Sequence, residues 1–182
     1  RSVVFRLDKP AVTPGRVLLQ VDRLCANNDL GAAALHEVSL SVRRGEILGI
    51  AGGAGNGQSE LAEVLAGLRP ATAGQILLDG RPITNQSPRT ILEEGIAFIP
   101  DKARQVAILP AWSIQDNTAL RVHDRPPFRR GPFLNEGAIG AWADALMKTF
   151  DVRAPDRHLP AGKLSGGNLQ KLVLATELAR NP

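Results

Sequence analysis

The chain has 182 residues, 43% hydrophobic and 22% charged, with 22 basic against 18 acidic residues and a net charge of +4. That length suits one domain, or one domain with an inserted lobe, and the composition supports a packed core. No apolar run approaches the roughly 18 to 20 residues of a membrane span, and the basic residues are dispersed apart from the proline-broken stretch Arg125 to Arg130, so neither a membrane-spanning helix nor a nucleic-acid face is expected.

The one cysteine, Cys25, excludes an internal disulfide, fits a reducing compartment and reads as a small apolar core residue. Residues 1–15 carry Pro10, Pro14 and Gly15 and no secretory pattern, so they read as a linker. A start on Arg1 is expected of a chain that begins inside a longer polypeptide.

Val17 to Leu24 predicts a strand, Ala26 to Ala34 a turn, and His36 to Arg43 a second strand in which Val38, Leu40 and Val42 alternate with polar residues. Glu46 to Ala51 is an apolar run ending in glycines, as in a buried strand. From Gly57 to Leu68 the period turns helical, with Leu61, Val64, Leu65 and Leu68 on one face. Gly74 to Asp79 predicts a strand, Ser87-Pro88 a helix start, and Ile96 to Ile99 another short buried strand. Beyond Pro100 no strand is evident. Ser113 to Leu120 and Gly137 to Phe150 predict helices, the second with Ile139, Trp142, Leu146, Met147 and Phe150 in one stripe, while Arg121 to Pro132 reads as a loop. Residues 101–163 thus read as a helical lobe inserted into an α/β core. Gly166 to Ala179 predicts a final helix with Leu169, Leu172, Val173 and Thr176 on one face.

Two glycine-rich stretches carry the chemistry. Gly52-Gly53-Ala54-Gly55-Asn56-Gly57-Gln58-Ser59 lies between a predicted strand and a predicted helix. There successive backbone N–H groups and a helix N-terminus can converge on phosphate oxygens. A phosphate loop also needs a lysine for the β- and γ-phosphates and a hydroxyl for Mg²⁺. Ser59 supplies the hydroxyl, but Gln58 stands in the lysine position and Glu60 follows. A Rossmann reading fails because Glu60 occupies the third glycine slot. On this loop alone, a glycine-rich turn that holds no ligand stays open. About a hundred residues on, Leu164-Ser165-Gly166-Gly167-Asn168-Leu169-Gln170-Lys171 places a serine cap before two helix-weakening glycines. A plain cap explains Ser165 but not the glycines, which leave a bare helix end able to face an anion. His36, His123 and His158 show no metal-ligand spacing.

The stretch Leu164 to Lys171, with Leu174 to Pro182 after it, resembles the signature motif of ATP-binding cassette (ABC) ATPases, and Gly52 to Ser59 resembles their Walker A phosphate loop. With Asn168 in the signature, the wording is similar to the second cassette of double-cassette simple-sugar and nucleoside importers. Ile96 to Asp101 resembles the strand entering the Q-loop, with Asp101 in place of its glutamine. No aromatic for adenine stands in Ala26 to Ala34.

The resemblance implies an α/β P-loop NTPase fold with N-terminal antiparallel strands and an inserted helical subdomain. It divides the chain into linker 1–15, ATP-binding core 16–100, Q-loop and helical subdomain 101–163, and signature and helix 164–182. It implies ATP and Mg²⁺ as cofactors, with Gly52, Gly55, Asn56, Gly57, Gln58 and Ser59 at a degenerate nucleotide site and Ser59 toward Mg²⁺. Leu164, Ser165, Gly166, Gly167, Asn168 and Gln170 would contact ATP held by a second cassette. It implies transmembrane permease subunits as partners near Ala103 to Leu120, indirectly a solute-binding protein, no nucleic acid, and a peripheral place on the cytoplasmic membrane face. The Walker B aspartate, catalytic glutamate, D-loop and switch histidine are expected after Pro182, so no catalytic residue is expected within 1–182 and the piece alone is expected to be inactive. A non-transport ABC ATPase and a regulatory or structural cassette without activity are the other readings.

Overall fold

A computed structural model describes residues 13–53 and 55–182. Most of the expected linker, 1–12, and Ala54 of the glycine-rich loop lie outside the described residues. The chain divides after Glu94 into two compact units.

The first unit is built on a four-stranded antiparallel sheet of order β2-β1-β3-β4, from β1 (Val17–Asn27), β2 (Ala33–Arg43), β3 (Ala73–Leu78) and β4 (Arg81–Pro82). Val21 faces Leu40 on one side and Ile76 on the other. Val21, Leu24, Ala26, Leu35 and Ile76 are buried in the core of this unit, as half-buried antiparallel strands require. The turn between β1 and β2 is tighter than expected: Asn28 Oδ1 accepts from the N–H groups of Leu30 and Ala32. Register shifts where Arg23 takes a positive φ of 45°. Gly74 is required opposite it, since a Cβ there would run into the carbonyls of Arg23 and Asp22. Cys25 is half-buried rather than sealed in the core, and its Sγ accepts from Glu37 N–H at 3.3 Å.

Helix α1 (Gln58–Leu65) buries Leu61 and Val64, two positions of the predicted face. Arg69 ties its far end down, donating to Asn27 O, Asp29 and Glu63. Helix α2 (Pro88–Glu93) starts as the sequence predicts, with Ser87 Oγ accepting from Thr90 N–H and proline in the first turn.

Two predicted buried strands do not form. Glu46 to Ala51 makes no ladder, and Ile47, Leu48 and Ile50 are 86%, 42% and 55% exposed. Ile96 to Ile99 likewise lies outside every ladder, with Ile99 exposed. An apolar run becomes a strand only where a neighbouring strand accepts its backbone hydrogen bonds, and among the described residues no strand pairs with either run.

The second unit is helical. It holds α3 (Ala103–Val106), α4 (Ile114–Ala119), α5 (Glu136–Thr149), a 3₁₀ turn (Ala161–Lys163) and α6 (Gly166–Leu178). The predicted loop before α5 contains a two-residue hairpin unforeseen in the sequence, β5 (Arg129–Arg130) against β6 (Phe133–Leu134). Ile108, Ile114, Val152, Leu164, Leu169, Leu172 and Val173 form one core, with Met147 and Phe150 packed on it. A second cluster joins Val122, Phe128 and Ile139 to Trp142, the Phe128 and Trp142 rings meeting edge-on at 5.5 Å. The aromatic and methionine positions are thus packing residues.

Candidate functional site

The glycine-rich loop ends at Gly57, which caps α1 with φ 92°. A side chain there would be strained, and its Cβ would lie 2.7 Å from Ala34 O. Leu61 N–H makes its bond to Gly57 O, so the N–H groups of Gln58, Ser59 and Glu60 lie at the open helix end. Gly52, Gly53, Gly55, Asn56 and Ser59 are exposed. The Gln58 side chain does not reach outward. Its Nε2 donates to Gly53 O at 3.2 Å and packs where a Cβ on Gly52 would stand. A neutral amide therefore braces the loop from within, where a lysine would place a mobile positive charge.

The serine of the second stretch is the N-cap of α6, φ −61° and ψ 156°, with Oγ accepting from Asn168 N–H. Ser165, Gly166 and Gly167 are exposed, and a Cβ on either glycine would meet nothing within 4 Å. This helix end is bare and open, and α6 is 13 residues long, so its N-terminal N–H groups and dipole are available to an anion. Leu164 is buried beneath it, while Gln170 points to the exposed side.

Several ties that hold this end in place were not legible in the sequence. Arg104 on α3 donates to Gly162 O at 2.7 Å and to Leu164 O at 2.9 Å. Asn168 Oδ1 accepts from Arg153 N–H, and Asn168 Nδ2 donates to Ser165 Oγ. Lys171 Nζ donates to both the backbone and the carboxylate of Asp151. Those bonds from Lys171, and then from Arg153, hold the Asp151 carboxyl below the usual aspartate range. The only local signal was the lysine at Lys171; its partner is 20 residues away.

Asp101 sits in a turn before α3, exposed, with its carboxylate accepting the N–H of Lys102. Beside α3 lies a cavity of about 280 Å³ lined by Val106, Leu109, Leu120, Leu172, Arg121 and Glu177, among others. Its charged floor is a pair: Arg121 donates to Glu177 Oε1 at 2.8 Å, Glu177 is 4% exposed, and Glu177 Oε2 is buried with no hydrogen-bond partner among the described residues. Asn117, also lining the cavity, is 4% exposed and satisfied on every side: its Nδ2 donates to the carbonyls of Leu109, Trp112 and Ser113, and its Oδ1 accepts Leu109 N–H. Among the described residues no group of three or more His, Cys, Asp or Glu could hold a metal, and no helix is long and apolar enough to cross a membrane.

Comparisons with known proteins bear on the family and the fold. The family model described as ABC transporter matches residues 35–182. The glucose import ATP-binding protein TsgD13 of Haloferax volcanii is 45% identical over the whole chain, which spans 34% of it. The guanosine import ATP-binding protein NupO of Bacillus subtilis is 39% identical, again over the whole chain and 36% of its own length. The chain therefore spans about a third of these curated relatives. Among solved structures, the dimeric bacterial ABC transporter cassette MJ0796 has a TM-score of 0.72 at 22% identity, covering 91% of this chain and 71% of that one, which extends the likeness to the P-loop cassette fold. A match over most of the chain, close relatives end to end and a shared fold lead to one conclusion: the chain belongs to the ABC transporter family.

Proposed function

We propose that this chain is part of the ATP-binding component of an importer for a sugar or nucleoside, and that its chief contribution is to donate its signature end to ATP held on a second cassette. The names of the relatives, glucose and guanosine import ATP-binding proteins, support the solute classes. The observation that carries the division of labour is the contrast between the two helix ends. At α1 the neutral Gln58 amide is folded onto Gly53 O. At α6 the cap, two glycines and the dipole stand open.

On this reading Gly52, Gly55, Asn56, Gly57, Gln58 and Ser59 form a weak nucleotide site. The glycine backbone and the first N–H groups of α1 fit phosphate oxygens. Mg²⁺ keeps several waters and takes few protein oxygens, so the exposed hydroxyl of Ser59 fits as its one ligand here. Without the lysine charge, this site stabilises the transferred phosphoryl group poorly. Ser165, Gly166 and Gly167 are the anion-facing groups of the signature end, with Leu164, Asn168 and Gln170 around them.

The functional segments are linker 1–15, nucleotide core 16–100, Q-loop and helical subdomain 101–163 with Asp101 at the Q-loop position, and signature helix 164–182. On the same reading a helix of a permease subunit docks at the cavity beside α3, with the protein peripheral on the cytoplasmic membrane face and linked indirectly to a solute-binding protein. The test is made in the full-length protein assembled with its permease. Ser165→Arg fills the bare end and is expected to abolish solute uptake. Gln58→Ala is expected to leave most uptake intact. The reverse pattern would refute the division.

A further inference from the structure

The Ser165 hydroxyl has one proton to donate and two lone pairs to accept with. Both lone pairs are engaged: Asn168 N–H lies 3.4 Å from Oγ, and Asn168 Nδ2 lies 3.1 Å from it. The orientation of the Asn168 amide follows from the network. A backbone donor, Arg153 N–H, stands 3.0 Å from one amide atom, so that atom is the oxygen, and the NH₂ must face Ser165. The 151–153 segment is itself anchored by Lys171 on Asp151. Among the described residues nothing accepts the Ser165 proton, and Ser165 is exposed.

The chain carries its own contrast. Helix α4 has the same cap spacing, Ser113-x-x-Asp116, and there Ser113 Oγ donates to Asp116 Oδ2 at 2.6 Å. An acidic residue three positions after the serine consumes the hydroxyl proton. An asparagine held from behind leaves it free.

We infer that Asn168 is a positioning residue that fixes the polarity of the Ser165 hydroxyl, so that Ser165 meets the terminal phosphate of the bound nucleotide as a hydrogen-bond donor. This rests on the signature-donor reading above. A hydroxyl turned to accept would set an oxygen lone pair against phosphate oxygens.

Asn168→Asp keeps the acceptor for Arg153 N–H and puts an acidic residue in the first helical turn, where the dipole favours it. The variant therefore stays folded, while its second oxygen captures the Ser165 proton as Asp116 captures that of Ser113. The assay is ATP turnover of the full-length protein with its permease, at saturating ATP and across an ATP titration, with thermal melting as the folding control. Loss of one preorganised donor costs roughly 100-fold or more in kcat in comparable sites, so Asn168→Asp is expected to lower kcat at least about tenfold without lowering the melting temperature. The added charge could repel phosphate by itself, and a double-mutant cycle with Ser165→Ala separates the two causes. The cycle is expected to be strongly non-additive, Asn168→Asp losing most of its effect once the hydroxyl is gone. Equal effects with and without the hydroxyl, or wild-type turnover for Ser165→Ala, would overturn the inference. Failure of the underlying reading is distinguishable: in that case Ser165→Arg is also harmless.

Discussion

Restoring a positive charge at position 58 tests the loop directly. In Gln58→Lys the brace to Gly53 O is lost. That bond is neutral, 3.2 Å long and solvent-exposed, so its loss costs at most about 0.5–1 kcal/mol. A lysine ammonium reaching the phosphates would gain about 1.5–3 kcal/mol. The net gain of about 0.5–2.5 kcal/mol corresponds to roughly 2- to 60-fold tighter binding, at about 1.4 kcal/mol per tenfold. Without nucleotide, the same lysine faces the positive end of α1, a cost of about 0.3–1 kcal/mol. The empty variant should therefore melt slightly below the wild type, and the gap should close or reverse as nucleotide is added. The assay is titration of the full-length protein with a non-hydrolysable ATP analogue, following binding and melting together. The weaker binding phase should move to lower concentration while the tighter phase stays in place. A weaker phase that does not move, in a folded variant, would show that charge at residue 58 is not what limits this loop.

Two further predictions concern the second unit. Asn117→Asp sets a carboxylate among the carbonyls of Leu109, Trp112 and Ser113, all within 3.3 Å of the present NH₂. Leaving buried groups unsatisfied should destabilise the protein by on the order of 3 kcal/mol at neutral pH, read as a fall in melting temperature. The new carboxyl would have its folded pKa raised, so the charge-linked part of the penalty should be absent below the unfolded aspartate value, grow as pH rises above it, and level off past the folded value, leaving at low pH the cost of carbonyls that a single O–H does not satisfy. Asp151 titrates in the opposite sense. Its folded pKa is lowered by Lys171 and Arg153, so its contribution is present above the unfolded value of about 3.9 and is lost as pH falls through the lower folded value. Melting of the wild type minus Asp151→Asn should thus give a constant difference from pH 5 upward that shrinks on strong acidification; a constant difference down to pH 2 would contradict the Lys171 tie.

What the sequence disclosed was local. Alternation at Val38, Leu40 and Val42, the caps Ser87 and Ser165 and the helical stretch Ser113 to Leu120 report structure within a few residues of themselves, and each of these elements stands in the fold. The Gly52 to Ser59 and Leu164 to Lys171 wordings were enough to point to the family that the comparisons then established. Pairing at a distance left no such trace. Nothing near Arg104 indicates that its guanidinium ends on Gly162 and Leu164, and nothing near Glu177 indicates Arg121, 56 residues earlier. Glu46 to Ala51 misled for the same reason: its apolar character was plain, but forming a strand also depends on a partner that the segment does not itself encode. The Gln58 substitution was visible as a missing charge, whereas its inward turn onto Gly53 follows from backbone geometry at glycines that any short motif leaves open.

The double grip of Arg104 limits how these two stretches can drift in evolution. One planar group holds two carbonyls, at Gly162 and at Leu164, that are two residues apart on the run into Ser165. A lysine carries the same charge but offers a single compact head on a flexible stem, and it could not hold both carbonyls in the same fixed fork. A glycine at position 162 is equally demanded, since any Cβ there would press within 2.9 Å of Pro110. Descendants of this sequence should therefore keep or lose the arginine, the proline and the glycine as a set, although 58 residues separate the first from the last.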